Sequence, residues 1–315
     1  MENKVATMKE KFSLAIRKDT IQQLINNTLG DPKRSARFTA SISSVVATNP
    51  ALQRCDVATI ISSALVGEAL ELPPSPQLGY FYLVPFDEKE YNEQTKKREI
   101  VRSVATFILG YKGYIQLAIR SGLYNDIDAM ELREGEYLGK DSETGKPKFR
   151  FIENDDEREK KPVIGYLAYL ELKTGFRKTI YWPLAKMLAH ADKYSKAFSV
   201  ADYEVFKSGK YDKKDEWKYS SFWYQGFDGM AMKTMIRQLI SKYGIMSVEI
   251  QSAFESDSSF TDSDGNRIYP DQGKPIGEVI EDVKADVKDG TASQKPQPQP
   301  QPTQTKVEDE LEAIE

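Results

Sequence analysis

Cysteine and histidine are almost absent: Cys55 and His190 are single copies in 315 residues. One thiol excludes an internal disulfide and a multi-thiolate zinc site, and one imidazole excludes a histidine-rich metal centre. No stretch approaches the roughly 18 apolar residues of a membrane-spanning helix. The start, MENKVATMKEKF, lacks the apolar centre of a signal peptide. A soluble, cytoplasmic protein without a membrane partner is the expectation. The nearest approach to an ATP-binding loop is Gly139-KDSET-Gly145-Lys146-Pro147, with five residues between its glycines instead of four and proline where Ser or Thr would hold magnesium. It reads better as a hairpin loop. The segment TDSDGNR (261–267) has Arg267 where a calcium loop needs glycine and Gly273 where it needs glutamate, so it reads as a turn. There is no G-x-S-x-G, and no histidine is placed by sequence to activate Cys55. The acidic run NDDERE (154–159) reads as solvated loop charge, because metal-dependent nucleases need carboxylates converging from several elements. No cofactor, metal or catalytic residue is expected.

What is present suffices for a substantial core: 40% of residues are hydrophobic and 29% are charged. The net charge of −4 hides an asymmetry, since residues 251–315 carry 6 basic against 15 acidic side chains and residues 1–250 carry 38 basic against 33 acidic. A mildly basic body with an acidic tail is compatible with nucleic-acid binding.

The N-terminal third predicts helices. Asp19 can cap TIQQLINNTLG, Asp31-Pro32 can start KRSARFTASISSVVATN, and Asp56 can cap VATIISSALVGEALEL before Pro73-Pro74 stops it. The middle third predicts strands: YFYLVPF (80–86) and EIVRSVATFIL (99–109) around a charged loop, then PVIGYLAYLEL (162–172) and FRKTIYW (176–182) joined by Lys173-Thr174-Gly175. Helices follow over 183–198, opened by Pro183, and over 227–243, stopped by Gly244. The expected class is α+β, with N-terminal helices, a central, mostly antiparallel sheet with hairpins, and C-terminal helices. The expected organisation is an N-terminal helical segment (1–30), a core (31–250), an extension (251–284), and a Pro/Gln-rich disordered linker with an acidic tail (285–315).

Basic stripes at helical spacing stand out. Lys112, Gln116 and Arg120 in GYKGYIQLAIRSG fall at i, i+4, i+8, with Ile115, Ala118 and Ile119 turned to a core. Gly113 would let a backbone N–H approach an anion. Lys186, His190 and Lys193 repeat the pattern, with His190 read as a hydrogen-bonding residue. Gly226, Gly229, Lys233 and Arg237 line a third helix whose apolar face is Met232, Met235, Ile236, Leu239, Ile240 and Tyr243. Lysine, arginine and glutamine suit phosphate contacts, and Tyr111, Tyr114, Trp182, Trp217, Phe222, Trp223 and Tyr224 offer faces on which bases could stack, if they are not core. Lys33, Arg34 and Arg37 form a further basic cluster.

Three long segments, NPALQRCDVATIISSALVGEALELPPSPQLGYFYLVPF (49–86), GYKGYIQLAIRSG (110–122) and FWYQGFDGMAMKTMIRQLISKYG (222–244), closely resemble the RecT family of phage and prophage single-strand annealing proteins. The resemblance spans about 40–250. It implies an ATP-independent, non-catalytic protein that binds single-stranded DNA, pairs it with a complementary strand for recombination, and holds the new duplex in a homo-oligomeric ring or helical filament. The implied partners are single-stranded and annealed DNA, and a phage exonuclease or a host single-strand-binding protein. By carry-over, Lys112, Gln116, Arg120, Lys233 and Arg237 line the DNA groove; the stripe argument adds Lys186 and Lys193. On the residues alone two other readings stay open. One is a metal-dependent nuclease using acids such as Asp155 and Asp156. The other is an oligomeric structural protein whose basic stripes serve subunit contacts.

Overall fold

The computed structural model describes residues 8–261 and 265–269. The linker and tail expected over 285–315, and most of the extension expected from 251, lie outside them.

Capping residues set where the first helices begin. Helices α1 (Met8–Ala15) and α2 (Asp19–Leu29) lead through Gly30, at φ 65°, to α3 (Pro32–Thr48). Asp31 accepts from the Lys33 amide and Pro32 fills the first helical position. Asp56 likewise caps α4 (Val57–Ala69) through the Ala58 amide. Asp19 is one position inside its helix, with Lys18 at the cap, and there its charge favours the N-terminal dipole. Phe38, Ile42 and Val46 repeat every fourth residue of α3 and are buried in one core with Phe12, Ile16 and Ile25. Arg34 bonds the Glu68 carboxylate at 2.5 Å and its carbonyl at 2.7 Å, so this member of the basic cluster ties α3 to α4.

Strands β1 (Phe81–Asn92) and β2 (Lys97–Leu109) form the expected hairpin, but pairing runs out to Asn92↔Lys97, through most of the segment expected to be a charged loop. Its inner half is buried through Phe81, Leu83, Ala105, Phe107 and Leu109 in the core that also holds Ile60, Ile61 and Ala64 of α4. The outer half is an arm: Tyr91, Ile100 and Val101 are exposed on it. A β-bulge between Glu88 and Lys89 shifts the register at its base.

Instead of one central sheet there are two larger ones. The hairpin is a sheet by itself, and β3 (Tyr124–Arg133), β6 (Val163–Leu172) and β7 (Arg177–Pro183) form an antiparallel sheet in the order β3-β6-β7. Strand β3 lacks a clean two-residue alternation in the sequence, because register shifts near both its ends interrupt the spacing of the buried Tyr124, Ile127, Ala129 and Leu132. Between them, β4 (Tyr137–Lys140) and β5 (Pro147–Phe149) enclose the Gly139–Pro147 stretch as a hairpin. Its loop closes on Asp141, which accepts from the Glu143 and Thr144 amides and pairs with Lys148 at 2.8 Å. The NDDERE run contains a short helix, α6 (Asp155–Glu159), from which Arg158 reaches the fully buried Glu136 at 2.7 Å.

The helix expected over 183–198 is α7 (Leu184–Tyr194), followed by a second, Ser199-capped helix, α8 (Val200–Ser208). A 3₁₀ segment (Lys213–Tyr219), α9 (Phe222–Gln225), α10 (Phe227–Tyr243) and α11 (Val248–Ser256) follow. The chain then returns through β8 (Phe260–Thr261) and β9 (Arg267–Ile268). Residues past 250 enter the core here: Ser258 and Ser259 exchange backbone hydrogen bonds with Phe107 on β2, and Ala253, Asp257 and Phe260 are buried.

Helix α5 (Tyr111–Arg120) starts where the chain crosses itself. A Cβ on Gly110 would stand 2.1 Å from the Gly79 carbonyl oxygen, and one on Gly113 would stand 2.2 Å from that of Tyr80. Backbone cannot yield as a side-chain tip does. Gly113→Ala is therefore expected to cost about 1–3 kcal/mol, read as a lower urea midpoint at unchanged slope. A midpoint equal to the parent's would refute the close crossing.

Candidate nucleic-acid interface

The seven cationic and amide residues expected at the site divide by environment. Lys112 is exposed on the first turn of α5 with its ammonium 6.0 Å from the Tyr111 ring, and Gln116 is half-buried one turn on. Arg120 pairs with Glu71 and donates to the Leu70 carbonyl, both at 2.9 Å, so it holds the end of α5 against the segment after α4. The pair is exposed enough to exchange with solvent anions. Of the expected core face, Ala118 is buried and Ile115 partly so, whereas Ile119 is 54% exposed. Gly113 does not offer its N–H to an anion, because that N–H donates to the Gly110 carbonyl at 3.0 Å.

Lys233 and Arg237 do not lie on a water-facing stripe. Helix α10 is covered on more than one side, and Lys233 is only 7% exposed. Its Nζ donates to Asp257 Oδ1 at 2.8 Å, while Arg237 Nη1 donates to Asp257 Oδ2 at 3.0 Å and to the Tyr114 hydroxyl at 2.9 Å. Tyr114 in turn donates to Asp257 at 3.0 Å, and the Leu109 amide to the same carboxylate at 2.9 Å. Burial pushes Asp257 up, but Lys233 and Arg237 outweigh it and hold the carboxyl below its usual range. Burial pulls Lys233 down against the opposing pull of Asp257. Burial also keeps Tyr114 protonated, as a donor. One carboxylate thus clasps the end of β2, α5 and α10. In the sequence Asp257 stands among many acidic residues, and no local signal singles it out.

Beside the start of α5, Tyr82 Oη and Lys112 Cδ lie 3.0 and 3.5 Å from where a Gly79 Cβ would stand. The Tyr82 ring is 5.4 Å from that of Phe222 at the start of α9. Further along β1, past the bulge, the Lys89 ammonium is 5.9 Å from the Trp217 ring. The hairpin therefore faces the 217–222 segment at two points, with Lys112 near the first. Trp223 and Tyr224, by contrast, are buried in a cluster of rings with Phe198, Phe206 and Phe227.

A second cationic and aromatic surface runs along α7. Its rings follow in order: Trp182 is 5.3 Å from His190, and His190 is 4.6 Å from Tyr194. The Lys186 ammonium is 4.3 Å from the Trp182 ring and the Lys193 ammonium 4.8 Å from the Tyr194 ring. Burial, then Lys186 and Lys193, push His190 down to about 4, so it is neutral at neutral pH.

Among the described residues no group of three or more His, Cys, Asp or Glu side chains is arranged to hold a metal ion, and no helix is long and apolar enough to cross a membrane. The Cys55 thiol is buried and pushed up to about 12, chiefly by that burial, which keeps it protonated.

Fold and surface together define an α+β protein in which a hairpin arm and the helices α5 and α7 carry lysines beside aromatic rings. It belongs to the RecT family, whose model matches residues 36–270. Among curated relatives, an uncharacterised protein, YqaK, of Bacillus subtilis (strain 168) is 39% identical over 222 residues, covering 70% of this chain and 63% of its own. Protein RecT of Escherichia coli (strain K12) is 31% identical over 208 residues, covering 66% of this chain and 65% of its own. The matches thus span a little under two thirds of these relatives' length.

Proposed function

We propose that this protein binds single-stranded DNA and anneals it to a complementary strand, without ATP, while an oligomer holds the nascent duplex. The observation that carries this reading is membership of the RecT family over a stretch that includes the hairpin, α5, α7 and α10. In this reading Lys112, Gln116, Lys186 and Lys193 contact the sugar–phosphate backbone, which leaves base edges available to a second strand. Arg120 joins them by exchanging Glu71 for a phosphate. Lys233 and Arg237 act indirectly, by holding α10 against α5 through Asp257. Pairing of the two strands supplies the sequence specificity, and no bond is made or broken in the protein. Subunit contacts are assigned to the N-terminal helices, where Leu14 and Leu24 are 63% and 52% exposed. An exonuclease that exposes single strands and a single-strand-binding protein are the fitting partners, in the cytoplasm of a bacterial host.

The test mixes complementary labelled strands with the protein, with and without magnesium, in the absence of ATP. Accelerated pairing of intact strands is expected. Pairing no faster than in buffer would overturn the proposal, and strands shortened with magnesium would assign a nuclease instead.

A further inference from the structure

We infer that Trp217 is a nucleobase-stacking residue that captures unpaired bases beside the hairpin arm; this rests on the single-strand reading above. Trp217 is 65% exposed, the most exposed of the described large aromatic side chains. Among the described residues no other aromatic ring packs on it; its ring contacts are with Lys89 and Lys218. Two residues on, Tyr219 anchors the same 3₁₀ segment, its ring 4.6 Å from that of Tyr211, 5.4 Å from Phe206 and 5.2 Å from Tyr224. Beyond it, Ser221 caps α9 through the Trp223 amide. Trp217 therefore projects from a rigidly seated turn, which suits a stacking platform.

The charges around it fit an anionic polymer. Residues 207–218 carry five lysines, Lys207, Lys210, Lys213, Lys214 and Lys218, against Asp212, Asp215 and Glu216. Lys218 and, from across the gap, Lys89 both hold their ammonium 5.9 Å from the Trp217 ring. Asp215 ties Lys218 at 2.9 Å, whereas no carboxylate forms an ion pair with Lys89 among the described residues. Tyr82 and Phe222 extend the aromatic lining toward Lys112. A ligand that matches alternates aromatic faces with anions and has those faces unpaired. Single-stranded DNA does; a duplex hides its base faces in its own stack.

The experiment compares, on the full-length protein, the binding of a labelled oligothymidylate with that of an abasic deoxyribose-phosphate polymer of the same length, and follows sedimentation without DNA. Trp217→Ala is expected to weaken oligothymidylate binding about tenfold and to leave abasic binding and sedimentation unchanged. Trp217→Phe, which keeps a face to stack on, restores most of the loss. Equal weakening of both polymers, no weakening of either, or a changed sedimentation that assigns the ring to a second copy of the chain would overturn the inference alone. Failure of the unaltered protein to bind either polymer would overturn the single-strand reading as well.

Discussion

Asp257→Asn is expected to lower stability by about 3–5 kcal/mol, the usual cost of removing one partner from a buried ion network. The amide nearly matches the carboxylate in shape but leaves Lys233 and Arg237 without a counter-charge in a site where Asp257 is 3% exposed and Lys233 7%. It also keeps only one of the two acceptor oxygens, so two donors, either the Tyr114 hydroxyl with Arg237 or the Leu109 amide with Lys233, are left under-satisfied. Urea unfolding reads the loss as a lower midpoint. A second variant isolates the cause: adding Lys233→Met to Asp257→Asn removes one stranded charge and should recover part of the loss, because buried ion pairs often yield to apolar groups of similar volume at little cost. If Asp257→Asn alone unfolds at the parent's midpoint, the clasp does not hold the helices together.

The same network sets one limit of the pH dependence. The Asp257 carboxyl is depressed in the folded state, so its contribution is complete above its unfolded value of about 4 and is lost as pH falls through the folded value. His190 acts in a higher window. Its folded value is pushed down to about 4 from 6.5, so between these the unfolded chain binds more protons and stability rises with pH. Acid unfolding should therefore have two parts, with His190→Gln flattening the upper one only.

Single-strand affinity is expected to fall steeply with salt, with a log–log slope of about −0.7 for each phosphate contacted. Four cationic contacts per subunit, from Lys112, Arg120, Lys186 and Lys193, give a slope of about −3, hence a loss of about fiftyfold between roughly 50 and 200 mM salt. Lys112→Gln should shallow the slope by about 0.7 and weaken binding to all sequences alike, since a phosphate contact carries no base information. Lys233→Met should leave the slope unchanged, because its ammonium already faces Asp257. A slope near zero for the parent would mean that the surface lysines do not meet phosphates, and the annealing mechanism would fall with it.

How much was legible in the sequence follows the range of each signal. Asp31 and Asp56 cap helices through amides two residues away, and Lys173-Thr174-Gly175 joins strands that pair next to one another, so composition and spacing located these elements. The three RecT-like segments were legible for a related reason: each is a continuous run. The outer half of the hairpin has no strand signal in the sequence, because its many charges mask pairing that depends on both strands being present. The Lys233 stripe failed differently. Periodicity states which residues share a face of α10, but not that α5, β3, β6, β7 and α9 would cover most of its circumference.

By itself, then, the sequence determined the α+β class, the positions of most helices and hairpins, and the family, because each rests on contacts within a few residues or on long uninterrupted runs. Tertiary structure alone decided which cations are free to meet a ligand. Arg120 is tied to a carboxylate 49 residues away and Lys233 and Arg237 to one 24 and 20 residues on, while Asp257 reaches back 148 residues to the Leu109 amide. The energy of a charge is set by what surrounds it in space, and at such separations only the folded chain brings those surroundings together.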